Sequence, residues 1–227
     1  MLFAYSGQEE AEYPELFEKM YRQRYEVYVK RRKWKDLRPV GELEKDQYDT
    51  ESAIYLIALD DEDSILASLR LLPTTGPHIL GDLFPHLAQT GGVPRDRRIL
   101  ELTRLYIAPF NASRAVRDWL VGVLCAGMIE YCAANKITQI SSVIDTFILR
   151  MVLSMGCKVR PLGLPQDYPE GHAVAITVDM SQANLQAIRQ SRGVYGPVFA
   201  DKQVEVSRIP AVVRLPSAPA PISMIPV

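Results

Sequence analysis

The chain is poor in the residues on which several enzyme chemistries depend. Only three cysteines and three histidines occur in 227 residues. Cys125, Cys132 and Cys157 are too few, and odd in number, for a disulfide scaffold. His78, His86 and His172 make no His-x-x-x-His pair, and no Cys-x-x-Cys is present, which argues against a metal site. Also missing are the Gly-x-Ser-x-Gly elbow of α/β-hydrolases, the phosphate-binding Gly-x-x-x-x-Gly-Lys loop and the dinucleotide turn Gly-x-Gly-x-x-Gly. No apolar run approaches the roughly 18 residues that a membrane span needs. The opening Met-Leu-Phe-Ala-Tyr-Ser has no basic n-region and turns acidic at once, unlike a signal peptide. With 26 basic and 27 acidic residues, the net charge of −1 excludes a nucleic-acid coat or an acidic disordered tail. The expectation is a cytoplasmic globular protein with no metal, no nucleic-acid partner and no membrane span.

What is present is unevenly spread. Six basic residues fall between Lys30 and Arg38, and Glu42, Glu44, Asp46, Asp49 and Glu51 follow. Seven of the 11 tyrosines precede residue 56. So many charges and rings in the first quarter predict a surface or a pocket lid rather than core. Further on, Ala53–Leu59 and Ile65–Leu72 read as a strand pair joined by an acidic turn. Residues 73–94 form a long proline-bearing connection, the kind of loop that often carries function. Ile99–Ala108 reads as a third strand. Ser113 caps a helix to about Asn135 whose apolar residues recur at helical spacing. Strands are expected over 137–144, 157–162 and 173–180, with helices over 146–155 and 181–190. This order predicts an α/β fold, a three-layer sandwich with a central mixed sheet. One domain over 1–190 is expected, followed by a proline-rich extension over 191–227.

Four clusters are not explained by packing alone. Arg24 and Tyr28 share a helix face ahead of Trp34. Asp46 and Asp49 flank Gln47-Tyr48. Arg70 ends an otherwise apolar strand. Glu101-Leu102-Thr103-Arg104 puts two charges inside another strand, where charge is costly unless paired or used. Alternation would send Glu101 and Thr103 to one face and Arg104 to the other, unless a bulge brings Arg104 back. A buried ion-pair network is the structural alternative to an active site.

Together Arg24, Tyr28, Trp34, Asp46, Asp49, Arg70, Phe84 and Glu101-Leu-Thr-Arg104 resemble the signature of the acyl-homoserine-lactone synthases, the autoinducer synthases of quorum sensing. The resemblance extends over residues 5–190 and includes Arg70-Leu-Leu-Pro-Thr-Thr-Gly-Pro. Tyr28 departs from the phenylalanine of many members but keeps the ring. The resemblance implies a fold like the N-acetyltransferase superfamily. It also implies an acyltransferase that uses S-adenosylmethionine as a substrate rather than a cofactor. The amine attacks an acyl thioester on coenzyme A or acyl carrier protein, and the carboxylate then closes the lactone and expels 5′-methylthioadenosine.

On that reading Glu101 is the general base. Arg104 and Arg24 take the substrate carboxylate or orient Glu101. Asp46 and Asp49 order the N-terminal lid by pairing with Arg24 and Arg70. Tyr28, Trp34 and Phe84 pack on the sulfonium and adenosine. The acyl pocket is expected between the sheet and the long helix, lined by Ser142, Ile144, Phe147, Met151, Leu124 and Met128. The basic run meets the donor, acyl-CoA phosphates or acidic acyl carrier protein. Similarity in 46–75 and 162–167 points to the subgroup that uses acyl-CoA with branched or aryl acids. Two other readings stay open. One is a general coenzyme A-dependent N-acyltransferase, whose phosphate turn is approached only at 117–122. The other is a non-catalytic ligand-binding module.

Overall fold

The computed structural model describes residues 2–108 and 112–199. Eight strands form one mixed sheet: β1 (Leu2–Ser6), β2 (Ile54–Leu59), β3 (Ile65–Pro73), β4 (Ile99–Ile107), β5 (Gln139–Asp145), β6 (Val159–Pro161), β7 (Gln166–Tyr168) and β8 (Gly171–Asp179). Their order is β1-β2-β3-β4-β5-β8-β6, with β7 paired to β8. Only β4 and β5 run parallel to each other among these pairs.

Helices cover both faces. On the back lie α3 (Arg114–Ala134), α4 (Thr146–Ser154) and α5 (Gln182–Arg192). Ser113 caps α3 by accepting from the Val116 amide, and Ser181 caps α5 in the same way from Asn184. The back core is aliphatic, built from residues such as Leu56, Leu69, Leu102, Leu124 and Ile140. Helix α3 approaches β1 closely at Gly127, where a Cβ would fall 2.1 Å from Leu2 Cδ2. Val194, Val198 and Phe199 are buried in the same core, so packing continues past residue 190 to Phe199. The rest of the expected 191–227 extension, from residue 200, lies outside the described residues.

The front is different. Helix α1 (Pro14–Arg24) continues into a π-helical turn, Tyr25–Arg31, and buries Phe17, Met20, Tyr21, Arg24, Val27 and Tyr28 along one face. These join Tyr5, Tyr48, Tyr55 and Tyr106 in a second core. Most tyrosines of the N-terminal quarter are therefore core, while residues within 34–48 of the same quarter line the cavity described below. A tyrosine ring buries like any aromatic once its hydroxyl finds a partner, as Tyr28 does on the Leu105 carbonyl at 2.9 Å. The connection over 73–94 is also structured. It contains the short helix α2 (Ile79–Asp82) and a 3-10 turn, Pro85–Leu87, which sit on the front of the sheet.

Candidate active site

Two irregularities of the sheet make the site. The first is in β4. Ser68 pairs with Tyr106 but Arg70 pairs with Thr103, so β4 carries one extra residue between these pairs. Arg104 takes up the excess with φ of 52°, in the left-handed region. This bulge shifts the phase of β4 and returns Arg104 to the front, the side of Glu101 and Thr103. The second is a splay. β4 and β5 pair only from Ile99–Glu101 with Gln139–Ser141 and then separate. A cavity of about 480 Å³ opens at the fork, lined by Glu101, Leu102, Thr103 and Arg104 on one side and Val143, Ile144 and Asp145 on the other. Trp34, Glu44, Asp46, Phe84 and Tyr168 contribute the remaining walls.

Behind one wall lies a cluster of three arginines and three carboxylates. Arg24 Nε donates to Glu44 at 2.6 Å, and its two terminal nitrogens grip Asp49 at 2.7 and 2.9 Å. Arg70 binds Asp46 in the same forked way, at 2.7 and 3.0 Å, and Thr103 Oγ1 through Nε. Arg104 reaches Glu44 at 2.9 Å and Asp46 at 2.8 Å. Charges cancel within this set, and the forks satisfy most of the donors, as burial requires. Burial pushes Glu44 up, but Arg24 and Arg104 override it and bring its pKa down to about 2. Asp49 is also held well below the usual carboxylate range, because Arg24 and Arg70 outweigh its desolvation.

Glu101 stands apart from that set. It is fully buried, and its two oxygens accept from the Ile79 and Leu80 amides at 2.7 and 2.6 Å. Helix α2 thus holds the carboxylate from above the sheet. Desolvation raises the Glu101 pKa to about 7, against the opposing pull of the two amides and Arg70. A carboxyl of this kind exchanges a proton readily near neutral pH.

The structure brings together Glu101, Arg104, Asp46, Trp34, Phe84 and Ile144 at the cavity. Trp34 stacks on Tyr28, centroids 4.8 Å apart, and the Arg104 guanidinium lies over both rings. Tyr28 and Arg70 are buried behind the wall. Arg24 does not fit the part of a carboxylate-binding group, since its guanidinium is buried and taken by Glu44 and Asp49. Of the six residues expected to line an acyl pocket against the long helix, Ile144 lines this cavity and the others do not. Leu124 and Met128 belong to the aliphatic back core, and Met151 packs there from α4. Phe147 is exposed under Arg32. Ser142 is buried and donates to the Leu102 carbonyl at 2.9 Å, bridging the strands at the fork. Alternation explains this: Ser142 shares its face with Ile140 and Ile144, opposite Ser141.

Glu44 is the residue that sequence reasoning missed. It lay in the acidic run, with nothing in its spacing to separate it from Glu42. His78, which lies in the proline-bearing connection, is fully buried, and its Nδ1 meets the Gly76 carbonyl at 2.9 Å. Among the described residues no helix is long and apolar enough to cross a membrane.

Comparison with known proteins agrees with this geometry. The family model described as autoinducer synthase matches residues 8–188. An isovaleryl-homoserine lactone synthase from Bradyrhizobium diazoefficiens is 32% identical over 202 residues, covering 88% of this chain and 90% of the relative. A coenzyme A-dependent acyl-homoserine lactone synthase, solved with S-adenosylmethionine and isopentyl-CoA, superposes with a TM-score of 0.77 at 33% identity, over 85% of this chain and 89% of the other. A more distant structure, described as an N-acetyltransferase, from Lactobacillus plantarum, covers 79% of this chain and 99% of the other. At 16% identity and a TM-score of 0.51 it shares the fold alone. On the strength of the family match and these relatives, the chain belongs to the autoinducer synthase family, the acyl-homoserine-lactone synthases.

Proposed function

We propose that the cavity at the β4–β5 fork joins S-adenosylmethionine to an acyl group from acyl-coenzyme A. The observation that carries this reading is Glu101, a buried carboxyl with a pKa of about 7 that lines the cavity beside a charge-balanced arginine cluster. The substrate amine is protonated near neutral pH and must lose a proton before it attacks. Glu101 takes that proton, directly or through water. Arg104 binds the substrate carboxylate, since its Nη1 has no protein hydrogen bond among the described residues. Trp34 and Phe84 pack on the sulfonium and adenosine.

The attacking amine displaces the thiol and forms the amide. The methionyl carboxylate then attacks its own γ-carbon, closes the lactone and expels 5′-methylthioadenosine. The acyl chain lies between the splayed strands, against Leu102, Val143, Ile144 and Ala173, where the apolar walls suit a short branched or aryl group. Arg38, which lines the cavity, and the exposed Lys33 and Lys35 near it in sequence meet the donor's phosphates. Coenzyme A is preferred to acyl carrier protein as donor because one relative is described as a coenzyme A-dependent synthase and is solved with isopentyl-CoA.

The test is direct. Purified protein receives S-adenosylmethionine with a panel of acyl-CoA and acyl carrier protein thioesters, and mass spectrometry follows methylthioadenosine and lactone. Both products are expected with short branched or aryl acyl-CoA. Turnover with carrier-protein thioesters alone would overturn the donor, and no methylthioadenosine with any donor would overturn the enzyme reading.

A further inference from the structure

We propose that Ser141 and Thr177 form a proton-exit relay behind Glu101, leading from the base to the solvent-facing edge of the sheet. The inference rests on the amide-forming reaction proposed above. Sheet register sets out the path. Glu101 of β4 pairs with Ser141 of β5, Ser141 with Thr177 of β8, and Thr177 with Arg160 of β6. Partners in register share a face of the sheet, so these four side chains form one row across its front. The first three are buried and Arg160 is exposed, so the row runs from the base to water.

The two hydroxyls in the middle of the row are unusual. Ser141 Oγ and Thr177 Oγ1 are buried and make no protein hydrogen bond. The other such side-chain atoms among the described residues are His78 Nε2, Arg189 Nε and Arg192 Nε. His78 directly precedes Ile79, whose amide holds Glu101. An unpartnered buried hydroxyl destabilises a fold, and the neighbouring positions on this face, Val143, Ala173 and Ala175, are apolar. A purely structural row would be apolar as well. Cross-strand Cβ separations of about 4.5–5.5 Å put such hydroxyls within reach of each other, directly or through one bridging water, and a bridging water needs donors and acceptors of this kind.

The reaction supplies the need. One proton leaves the substrate ammonium for Glu101. The amine's second proton goes to the departing thiolate, and lactone closure expels a neutral thioether. Each turnover therefore ends with one surplus proton on Glu101 while the cavity holds the products. Arg160 marks the exposed end of the row, where the relay delivers the proton to water at β6.

First-turnover and steady-state thiol release distinguish the relay from a structural role. In Ser141→Ala/Thr177→Val assayed about one pH unit above the Glu101 pKa of about 7, Glu101 begins each assay mostly deprotonated, so the first turnover keeps its wild-type rate. The steady state should slow about tenfold, a modest share of the ~10²–10⁴-fold that positioned proton transfer contributes. KM for both substrates stays unchanged, and the Tm is equal to or above that of the wild type. Thr177→Ser should retain the wild-type steady state. Equal slowing of both phases, or no slowing of either, overturns the relay. Glu101→Gln is the separating control: loss of both phases there keeps the base assignment even if the relay fails, whereas unchanged turnover refutes the base itself.

Discussion

Glu44 and Glu101 line the same cavity, both are buried, and they titrate at opposite ends of the carboxyl range. Their partners make the difference. Glu44 meets two guanidinium ions, whose charge more than repays its desolvation. Glu101 meets two neutral amides, which orient it but cannot cancel the cost of burying its charge. One is locked as an anion and holds structure together; the other keeps a proton within reach of neutral pH and can do chemistry. The bulge at Arg104 brings its guanidinium to the front of the sheet, where Glu44 and Asp46 take it up and Glu101 is left to the two amides.

The sharpest way to break the contrast is to exchange charge for amide at each site. Glu101→Gln should lower kcat by about 10²–10⁴-fold, the range for loss of a positioned base, with little change in KM for S-adenosylmethionine. In the wild type, kcat/KM should fall about tenfold per pH unit below about pH 7, as Glu101 takes up its proton. Unchanged turnover in Glu101→Gln would remove the base assignment. Glu44→Gln should act on the fold. It leaves Arg24 and Arg104 short of an anion, and breaking a buried pair costs about 3–5 kcal/mol. Asp46 and Asp49 still serve both arginines, so the lower end is expected in urea unfolding.

A pH series sharpens the same comparison. Glu44 has a folded pKa of about 2, below the ordinary 4.5, so its contribution is full above pH 4.5 and disappears as pH falls toward 2. Glu101 has a folded pKa of about 7, above 4.5, so its folded form retains a proton that the unfolded chain has lost. Its contribution is full below pH 4.5 and is lost as pH rises through 7. Each interval amounts to about 3 kcal/mol at ~1.4 kcal/mol per unit. The stability difference between Glu101→Gln and wild type should therefore move in the variant's favour from pH 4.5 to 7. The penalty of Glu44→Gln should shrink as pH falls below 4.5. Parallel curves for the two variants would abolish the distinction.

The sequence was most legible where one physical signal dominated. Strands β2, β3 and β4 are apolar runs between turns, and α3 and α5 have serine caps with helical periodicity. The site was half legible. Arg24, Asp46, Asp49, Arg70, Glu101 and Arg104 stood out because charge inside strands or beside rings is expensive. Their division of labour did not, because it depends on register. One bulge decides which face Arg104 takes, and a splay decides that the cavity follows β4 and β5 rather than α3. The tyrosines of the N-terminal quarter misled because tyrosine counts as polar in a pattern yet buries well when its hydroxyl is bonded. Helix α2 was hidden because its four residues are too few to show a period.

The smallest predicted effect separates two kinds of buried hydroxyl. Tyr55 donates to Asp49 Oδ1 at 2.8 Å, inside the arginine cluster. Asp49 keeps Arg24, Arg70 and the Asp46 amide without it, so Tyr55→Phe removes one bond while leaving the carboxylate satisfied. The expected cost is about 1 kcal/mol, near the net value of an ordinary hydrogen bond and below that of an unrelieved charge. Because the ring stays in the tyrosine core and no cavity forms, turnover should be unchanged. Ser141 and Thr177 should behave in the opposite way, their removal sparing or raising stability while slowing the steady state. If Tyr55→Phe slows turnover as strongly as it lowers stability, the ion cluster is not a scaffold held apart from the chemistry, and its carboxylates act with Glu101 as one titrating unit.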